Sequence, residues 1–317
     1  PRVGISYPVS EKTVFHFGYG HYFQRPEYQF IYKTQTDENY KENIIMNLRS
    51  GNGRFGNPDL KPERTIQYEF GLSHQLFDFY LFNISASSKQ IKNFVGARTY
   101  YPGDRPGYFE TISLHINEDF GYDNGLELQF RKMGGRNLFG EVNYTYSVSE
   151  ASSSGPLERV GVEEANRQSL KFFPTDWDSR HKVNVNLNFR YQDNDGPTLG
   201  GRHILEKFKA GLLFQYNSSL PYTVGIRGAT EPYQINNARM PENWTIDLKI
   251  DRRIDLKRIS LVPYLQVWNL TNRRNVVYVD PFTGKPDESI GRTYEYAANP
   301  LNFGQPRLIF LGIDIRY

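Results

Sequence analysis

Leu138-Phe139-Gly140-Glu141-Val142-Asn143-Tyr144-Thr145-Tyr146-Ser147-Val148 alternates with a period of two, Phe139 alone standing among the polar positions. The even positions carry Leu138, Gly140, Val142, Tyr144, Tyr146 and Val148, and the odd positions carry Phe139, Glu141, Asn143, Thr145 and Ser147. A repeat of two residues sends each set to its own side of an extended chain, so this stretch predicts a strand with one apolar and one polar face. The same alternation recurs at Val183, Val185, Leu187, Phe189 and Tyr191, and at Trp244, Ile246, Leu248 and Ile250. It is found again at Ile66, Tyr68, Phe70 and Leu72, and at Leu126, Leu128 and Phe130. Helical periodicity is nowhere comparable.

Eleven such segments are expected: Arg2 to Tyr7, Thr13 to Phe23, Thr65 to Leu76, Phe79 to Phe94, Gly121 to Lys132, Leu138 to Ser149, His181 to Tyr191, Phe208 to Asn217, Trp244 to Ile254, Ile259 to Asn269 and Arg307 to Tyr317. Most are longer than the ~5 to 6 residues usual in globular sheets, and they match the ~9 to 11 residues that a tilted strand needs to cross a bilayer. Short connections alternate with long ones such as 24–64, 95–120, 150–180, 218–243 and 270–306. Among the short ones, 192–207 is longer than its peers. Tight turns on one rim and long loops on the other describe an outer-membrane barrel, with the long loops facing outside the cell.

Charge decides which face meets lipid. The polar phase carries Glu127, Arg131, Arg190, Asp247, Lys249 and Asp251, whereas the apolar phase is nearly free of charge in mid-strand. A Lys or Arg facing lipid at the bilayer centre costs ~2 to 4 kcal/mol, so the polar phase faces a lumen. Composition agrees with this reading. The 317 residues include 23 Tyr and 22 Phe against 38% apolar content, a poor recipe for an aliphatic core and a suitable one for two interfacial aromatic girdles. With 38 Lys and Arg against 35 Asp and Glu there is no strong field to favour nucleic acid, and none is expected as a partner. The absence of Cys excludes a disulfide scaffold, a thiolate zinc site and a Cys nucleophile.

A sheet in lipid cannot leave an edge unpaired, so it must close, and bacterial single-chain barrels close with even strand counts. Eleven is odd, but it is half of the twenty-two strands of the plugged outer-membrane transporters. The fold expectation is therefore all-β, a transmembrane antiparallel β-barrel with about eleven strands present, half of a larger barrel.

Here the residues resemble a known family. Asn57-Pro58-Asp59-Leu60-Lys61-Pro62-Glu63, followed by Tyr68-Glu69-Phe70-Gly71-Leu72, is similar to the NPxLKPE signature of the TonB-dependent outer-membrane receptors. Supporting similarities are Asp178-Ser179-Arg180-His181, Ala238-Arg239-Met240-Pro241, Asn269-Leu270-Thr271-Asn272 and the final segment ending in Tyr317. The resemblance implies that residues 1–317 are the C-terminal portion of such a barrel in the bacterial outer membrane. It also implies a plug domain and TonB box upstream, with coupling to the TonB complex through that region and a small-molecule or oligomeric solute as ligand. The signature itself is expected to be structural, since Pro58 and Pro62 forbid a helix and hold the chain extended as it steers from loop to strand.

The other constellations read as structure. Gly51-Asn52-Gly53-Arg54-Phe55-Gly56 matches a dinucleotide string, but Asn57-Pro58 and Pro62 deny it the helix it needs. Asp193-Asn194-Asp195-Gly196 resembles the start of a calcium loop, yet position 12 is Ile204. Asp176, Asp178 and His181 fit a hydrogen-bond cluster at a strand start, and no catalytic residue, resident metal or cofactor is expected. Ligand contact is assigned to loop residues able to stack on organic rings or pair with anionic groups: Arg98, Tyr100, Tyr101, Arg105 and Tyr108 in one loop, Tyr222, Arg227 and Tyr233 in another. The leading functional expectation is energised import of a scarce bulky solute (siderophore, cofactor, saccharide or peptide). A passive pore without a plug and a soluble β-rich binding module stand beside it.

Overall fold

A computed structural model describes residues 1–32, 53–100, 112–155, 172–225, 234–256, 258–289 and 299–317. Eleven long strands form one curtain: β1 Arg2–Ser10, β2 Thr13–Gln24, β3 Glu63–Leu76, β4 Tyr80–Tyr100, β5 Ile112–Lys132, β6 Leu138–Ala151, β7 His181–Arg190, β8 Phe208–Asn217, β9 Asn243–Arg252, β10 Ile259–Trp268 and β11 Leu308–Arg316. Each pairs antiparallel with its neighbour in sequence. All eleven expected segments are present as strands. Among the described residues β1 pairs only with β2 and β11 only with β10 of these long strands, so the wall is open at both ends.

Register carries each strand's alternation across the whole wall. On the outer face Phe130, Val142, Val185, Phe214 and Ile246 lie in one row, each opposite the next. One residue along, the inner-face row reads Arg131, Glu141, Asn186, Leu213 and Asp247. A slip of one residue in any strand would swap these faces, so the bilayer itself enforces the pairing. The outer residues are bare: Ile5 is 56% exposed, Phe70 55% and Leu311 81%. An apolar face that spans every strand is far beyond what water tolerates, and lipid is its natural solvent. Among the described residues few apolar side chains are buried, chiefly Val95, Ala97, Ala151, Val262 and Val267, so there is no central hydrophobic core.

The inner face is stitched by polar side chains. Glu141 accepts from Arg131 Nε at 2.7 Å, Gln129 Nε2 at 3.0 Å and Asn143 Nδ2 at 2.6 Å, while Asn83 Nδ2 donates to Gln129 Oε1 at 2.6 Å. A groove of about 660 Å³ runs along the inner wall past Asn186, Asn188, Lys209, Asp247 and Lys249.

The structure departs from expectation at β4 and β5. Both continue beyond the expected ends, to Tyr100 and from Ile112, so part of the long loop 95–120 is a raised hairpin arm. Its base is irregular. Asn93 takes a left-handed φ of 60°, and the pairing shifts at Lys92/Phe94 and again at Phe94/Val95. Within the loop after β2 lie a single helical turn, α1 Tyr28–Tyr32, and the short strand Gly53–Phe55. The long turn 192–207 holds a two-residue hairpin, Thr198–Leu199 with Arg202–His203, turning through Gly200 and Gly201 at φ 59° and 78°.

Candidate functional site

The polar features gather at the long-loop rim, where the NPxLKPE segment behaves as a strap. The short strand Gly53–Phe55 runs parallel to β5 at Ile112–Leu114, on the edge opposite β4. Glu63 then opens β3, which lies on the far side of β4. Residues 56–62 therefore cross both strands of the arm. Asn57 Oδ1 closes a local turn by accepting from Asp59 N at 2.9 Å, and its Nδ2 donates to His115 O at 2.9 Å. Lys61 N donates to Asn117 Oδ1 at 2.7 Å, and Asn117 Nδ2 donates back to Lys61 O at 3.0 Å and to Asn93 O at 2.9 Å. Glu63 Oε1 receives Val95 N at 3.1 Å. Burial pushes the Glu63 carboxyl above its ordinary range, the Val95 N–H opposes that shift, and Glu27 adds to it. Pro58, Leu60 and Pro62 complete the crossing without offering a helix.

A second cluster unites two similarities that are far apart in sequence. Asp178, 1% exposed, accepts from Ser149 N at 2.9 Å, from Arg180 Nε at 2.7 Å and from Arg239 Nη2. Arg239 Nη1 also donates to Asp178 O at 2.9 Å and Ser219 O at 3.0 Å, so one guanidinium ties the short hairpin Pro221–Tyr222/Ala238–Arg239 to the head of β7. Arg180 reaches Glu150 at 3.3 Å, and Tyr122 donates to the other Glu150 oxygen. His181 stacks on Tyr144, with Nδ1 2.9 Å from its hydroxyl, and its N–H donates to Ser218 Oγ at 3.0 Å. Asn236, left-handed at φ 55°, donates to Pro174 O and Asp176 Oδ1 at 2.7 and 2.8 Å. Pro241 is exposed and leads into β9.

The third cluster closes β10. Asn269 and Asn272 are both left-handed, at φ 50° and 54°. Asn269 Nδ2 donates to Arg273 O at 2.9 Å and Gln305 O at 3.0 Å, while Asn272 Oδ1 accepts from Arg307 N at 3.0 Å and aligns β11. Two further asparagines mimic a ladder step. Asn243 bonds Val276 N and O, and Asn275 bonds Trp244 N and O, all between 2.9 and 3.0 Å. Tyr317 lies fully exposed just past β11, at the short-turn rim.

Of the loop residues assigned to ligand contact, Arg98 and Tyr100 stand together on the arm. Arg98 Nη2 pairs with Glu118 at 2.6 Å, which holds the guanidinium above its ordinary range, and Tyr100 is exposed. Tyr222 belongs to the separate short hairpin and lies under the turn at Gly284. Tyr101, Arg105, Tyr108, Arg227 and Tyr233 lie outside the described residues. At the short-turn rim, Asp195 of the calcium-like string is committed to Arg136 at 3.0 Å and Asn137 at 2.8 Å. Among the described residues no group of three or more His, Asp and Glu is placed to hold a metal ion. Asn117, Glu150, Asn243 and Asn275 were missed by sequence reasoning, since single polar residues in a polar rim carry no pattern.

Comparison with known proteins fits this geometry. The sequence profile described as "TonB dependent receptor-like, beta-barrel" matches residues 1–297. A search of curated proteins finds no match. Among solved structures, the ferripyoverdine receptor of the Pseudomonas aeruginosa outer membrane aligns with 100% of this chain at 13% identity and TM-score 0.58, using 33% of its own length. The copper transporter OprC aligns with 98% at 15% identity and TM-score 0.54, using 38% of its length. The FrpB iron transporter from Neisseria meningitidis aligns with 86% at 14% identity and TM-score 0.53, using 35% of its length. The chain thus spans about a third of the solved structures it matches, and the likeness is one of fold. With its lipid-facing outer rows, polar inner wall, strapped arm and a profile match over most of its length, the chain belongs to the TonB-dependent receptor-like β-barrel family of the outer membrane.

Proposed function

We propose that residues 1–317 form the C-terminal half of a twenty-two-stranded receptor whose remaining strands, plug domain and TonB box lie upstream, and that the whole protein imports a scarce bulky solute with energy from the TonB complex. The observation that carries this reading is the open wall. Its outer face is apolar from β1 to β11, yet β1 and β11 do not pair with each other among the described residues. Each unpaired backbone group facing hydrocarbon costs several kcal/mol, so such a wall needs further strands to close it. A lumen of that girth is wide enough to require a plug.

Chelated metal is the solute class to test first, because the structural neighbours include a ferripyoverdine receptor, a copper transporter and an iron transporter. Cofactor, saccharide and peptide solutes follow. In this reading Arg98, Tyr100, Tyr101, Arg105 and Tyr108 on the arm and its loop, with Tyr222, Arg227 and Tyr233 on the second loop, contact the solute. The test is uptake of radiolabelled iron, supplied as a panel of ferric chelates, by cells bearing the full-length receptor, with and without a functional TonB complex. Accumulation that needs both the receptor and TonB supports the proposal. Entry that persists without TonB, together with steady conductance in planar bilayers, would mark a passive pore instead.

A further inference from the structure

The NPxLKPE strap has a load. We infer that Asn117 is a positioning residue: through it the strap fixes the angle and height of the β4–β5 arm above the barrel wall, and so sets where Arg98 and Tyr100 stand on that arm. Three observations converge on this assignment.

First, the arm is mechanically distinct from the wall below it. Regular pairing of β4 with β5 runs from Tyr80↔Lys132 to Lys92↔Phe120, then breaks twice within three residues at the left-handed Asn93. A doubled irregularity in a two-stranded ribbon is a point of bending and twist. Above it β3 no longer flanks β4, because the β3–β4 pairing ends at Arg64↔Lys92. The arm has lost its neighbour on that side at the height where it bends.

Second, the strap supplies what the ladder no longer does. Its bonds fall on the arm's base and on both of its strands: Asn57 on His115 O, Lys61 on Asn117, and Glu63 on Val95 N. Asn117 bonds the strap and the break at once, since its amide takes Lys61 N and serves both Lys61 O and Asn93 O. Removing that amide frees Lys61 from β5 and the left-handed residue from its only side-chain support among these bonds, and leaves the strap held to β5 only at its start.

Third, the strap cannot slide away. The short strand Gly53–Phe55 anchors its start to β5 through Ile112–Leu114, and β3 anchors its end. Pro58 and Pro62 between them fix φ and deny a helix, so the crossing is short and stiff. A stiff tether held at both ends across a bending point is a brace.

That Arg98 and Tyr100, so presented, meet a solute rests on the import reading. The brace does not, and its test needs no solute. Residues 1–317 contain no Cys, so Tyr100→Cys on the arm and Phe23→Cys on the wall place one spin label on each, in the full-length receptor with any upstream Cys replaced by Ser. In the labelled Asn117→Ala variant the inter-label distance distribution is expected to broaden or shift. Hydrogen exchange of amides 94–100 and 112–117 should speed up by about tenfold, the factor expected from losing one net hydrogen bond, while exchange in β7 to β10 stays unchanged. Asn117→Asp keeps the acceptor for Lys61 N and loses both donors, so it should fall between the two. An unaltered distribution with unaltered arm exchange overturns the inference, and so does equal loosening of arm and wall. If Asn117→Ala fails to assemble, Asn57→Ala decides the question by the same two readouts.

Discussion

Replacing Asp178 with Asn is the sharpest single test of the rim architecture, because the two side chains have the same shape. The carboxylate is buried and takes three donors: Ser149 N, Arg180 Nε and Arg239 Nη2. An Asn at this place can still accept from Ser149 N, but its amide group turns N–H toward the two guanidinium groups. Two charge-assisted bonds are lost, each worth about 1.5 to 3 kcal/mol. The upper sum is discounted because the side chains of Arg180 and Arg239 are 27% and 32% exposed and can recover water, and because Arg180 keeps Glu150. The expected loss is about 3 kcal/mol, in the range for breaking a buried pair by removing one partner. Guanidinium titration of the receptor in lipid vesicles measures it, and Trp177, half exposed and adjacent in sequence, supplies a local fluorescence signal. Arg239→Gln alone and together with Asp178→Asn completes a double-mutant cycle, for which a coupling of about 1.5 kcal/mol or more is expected. A loss in Asp178→Asn below about 0.5 kcal/mol, with no coupling to Arg239, would refute the view that this carboxylate joins the two chain segments.

Leu248→Arg, on the outer face in mid-strand, should destabilise the barrel in vesicles by about 2 to 4 kcal/mol, whereas Asn186→Arg on the inner wall should cost a fraction of that; equal costs would deny the assignment of faces. Asn269→Ala should cost about 3 kcal/mol by losing its bonds to Arg273 O and Gln305 O and with them the local polar contacts that let Asn hold a left-handed backbone, and Asn269→Gly should cost measurably less because glycine adopts that backbone without strain. At the short-turn rim Lys207 meets Asp255 at 2.7 Å; the Lys207 ammonium is held above its ordinary range by Asp255, and the Asp255 carboxyl below its range by Lys207, Ser260 and Arg253. The depressed acid stabilises above its unfolded value and stops as pH falls through its folded one, while the raised base stabilises below its unfolded value and stops as pH rises through its folded one. The difference in unfolding midpoint between wild type and Asp255→Asn should therefore be widest between about pH 5 and 9 and shrink on both sides, as a pH series of melts would show.

The wall was legible in the sequence because lipid imposes a strict rule on every second residue, and Leu138 to Val148 obeys it along its whole length. The rule lapses above the bilayer. Beyond Asn93 the arm has water or protein on its faces, alternation lapses, and β4 and β5 run past their expected ends for that reason. Two-residue strands such as Phe173–Pro174 and Pro221–Tyr222 are too short for any period to register. The hydrogen-bond cluster of Asp176, Asp178 and His181 at the head of β7 was legible, but its tie to Arg239 was not: Asp178 and Arg239 are 61 positions apart, and only the path of β8 and the short hairpin brings them together. The family motifs marked where these residues were, and the fold showed what each one touches.

Because every long strand pairs with its neighbours in sequence, no partner assignment crosses the wall. Losing or duplicating one complete hairpin would change the girth by two strands and leave all other partners as they were. Pore circumference in such a wall is thus a quantity that evolution can adjust in single genetic steps, independently of the rim clusters that fix its loops.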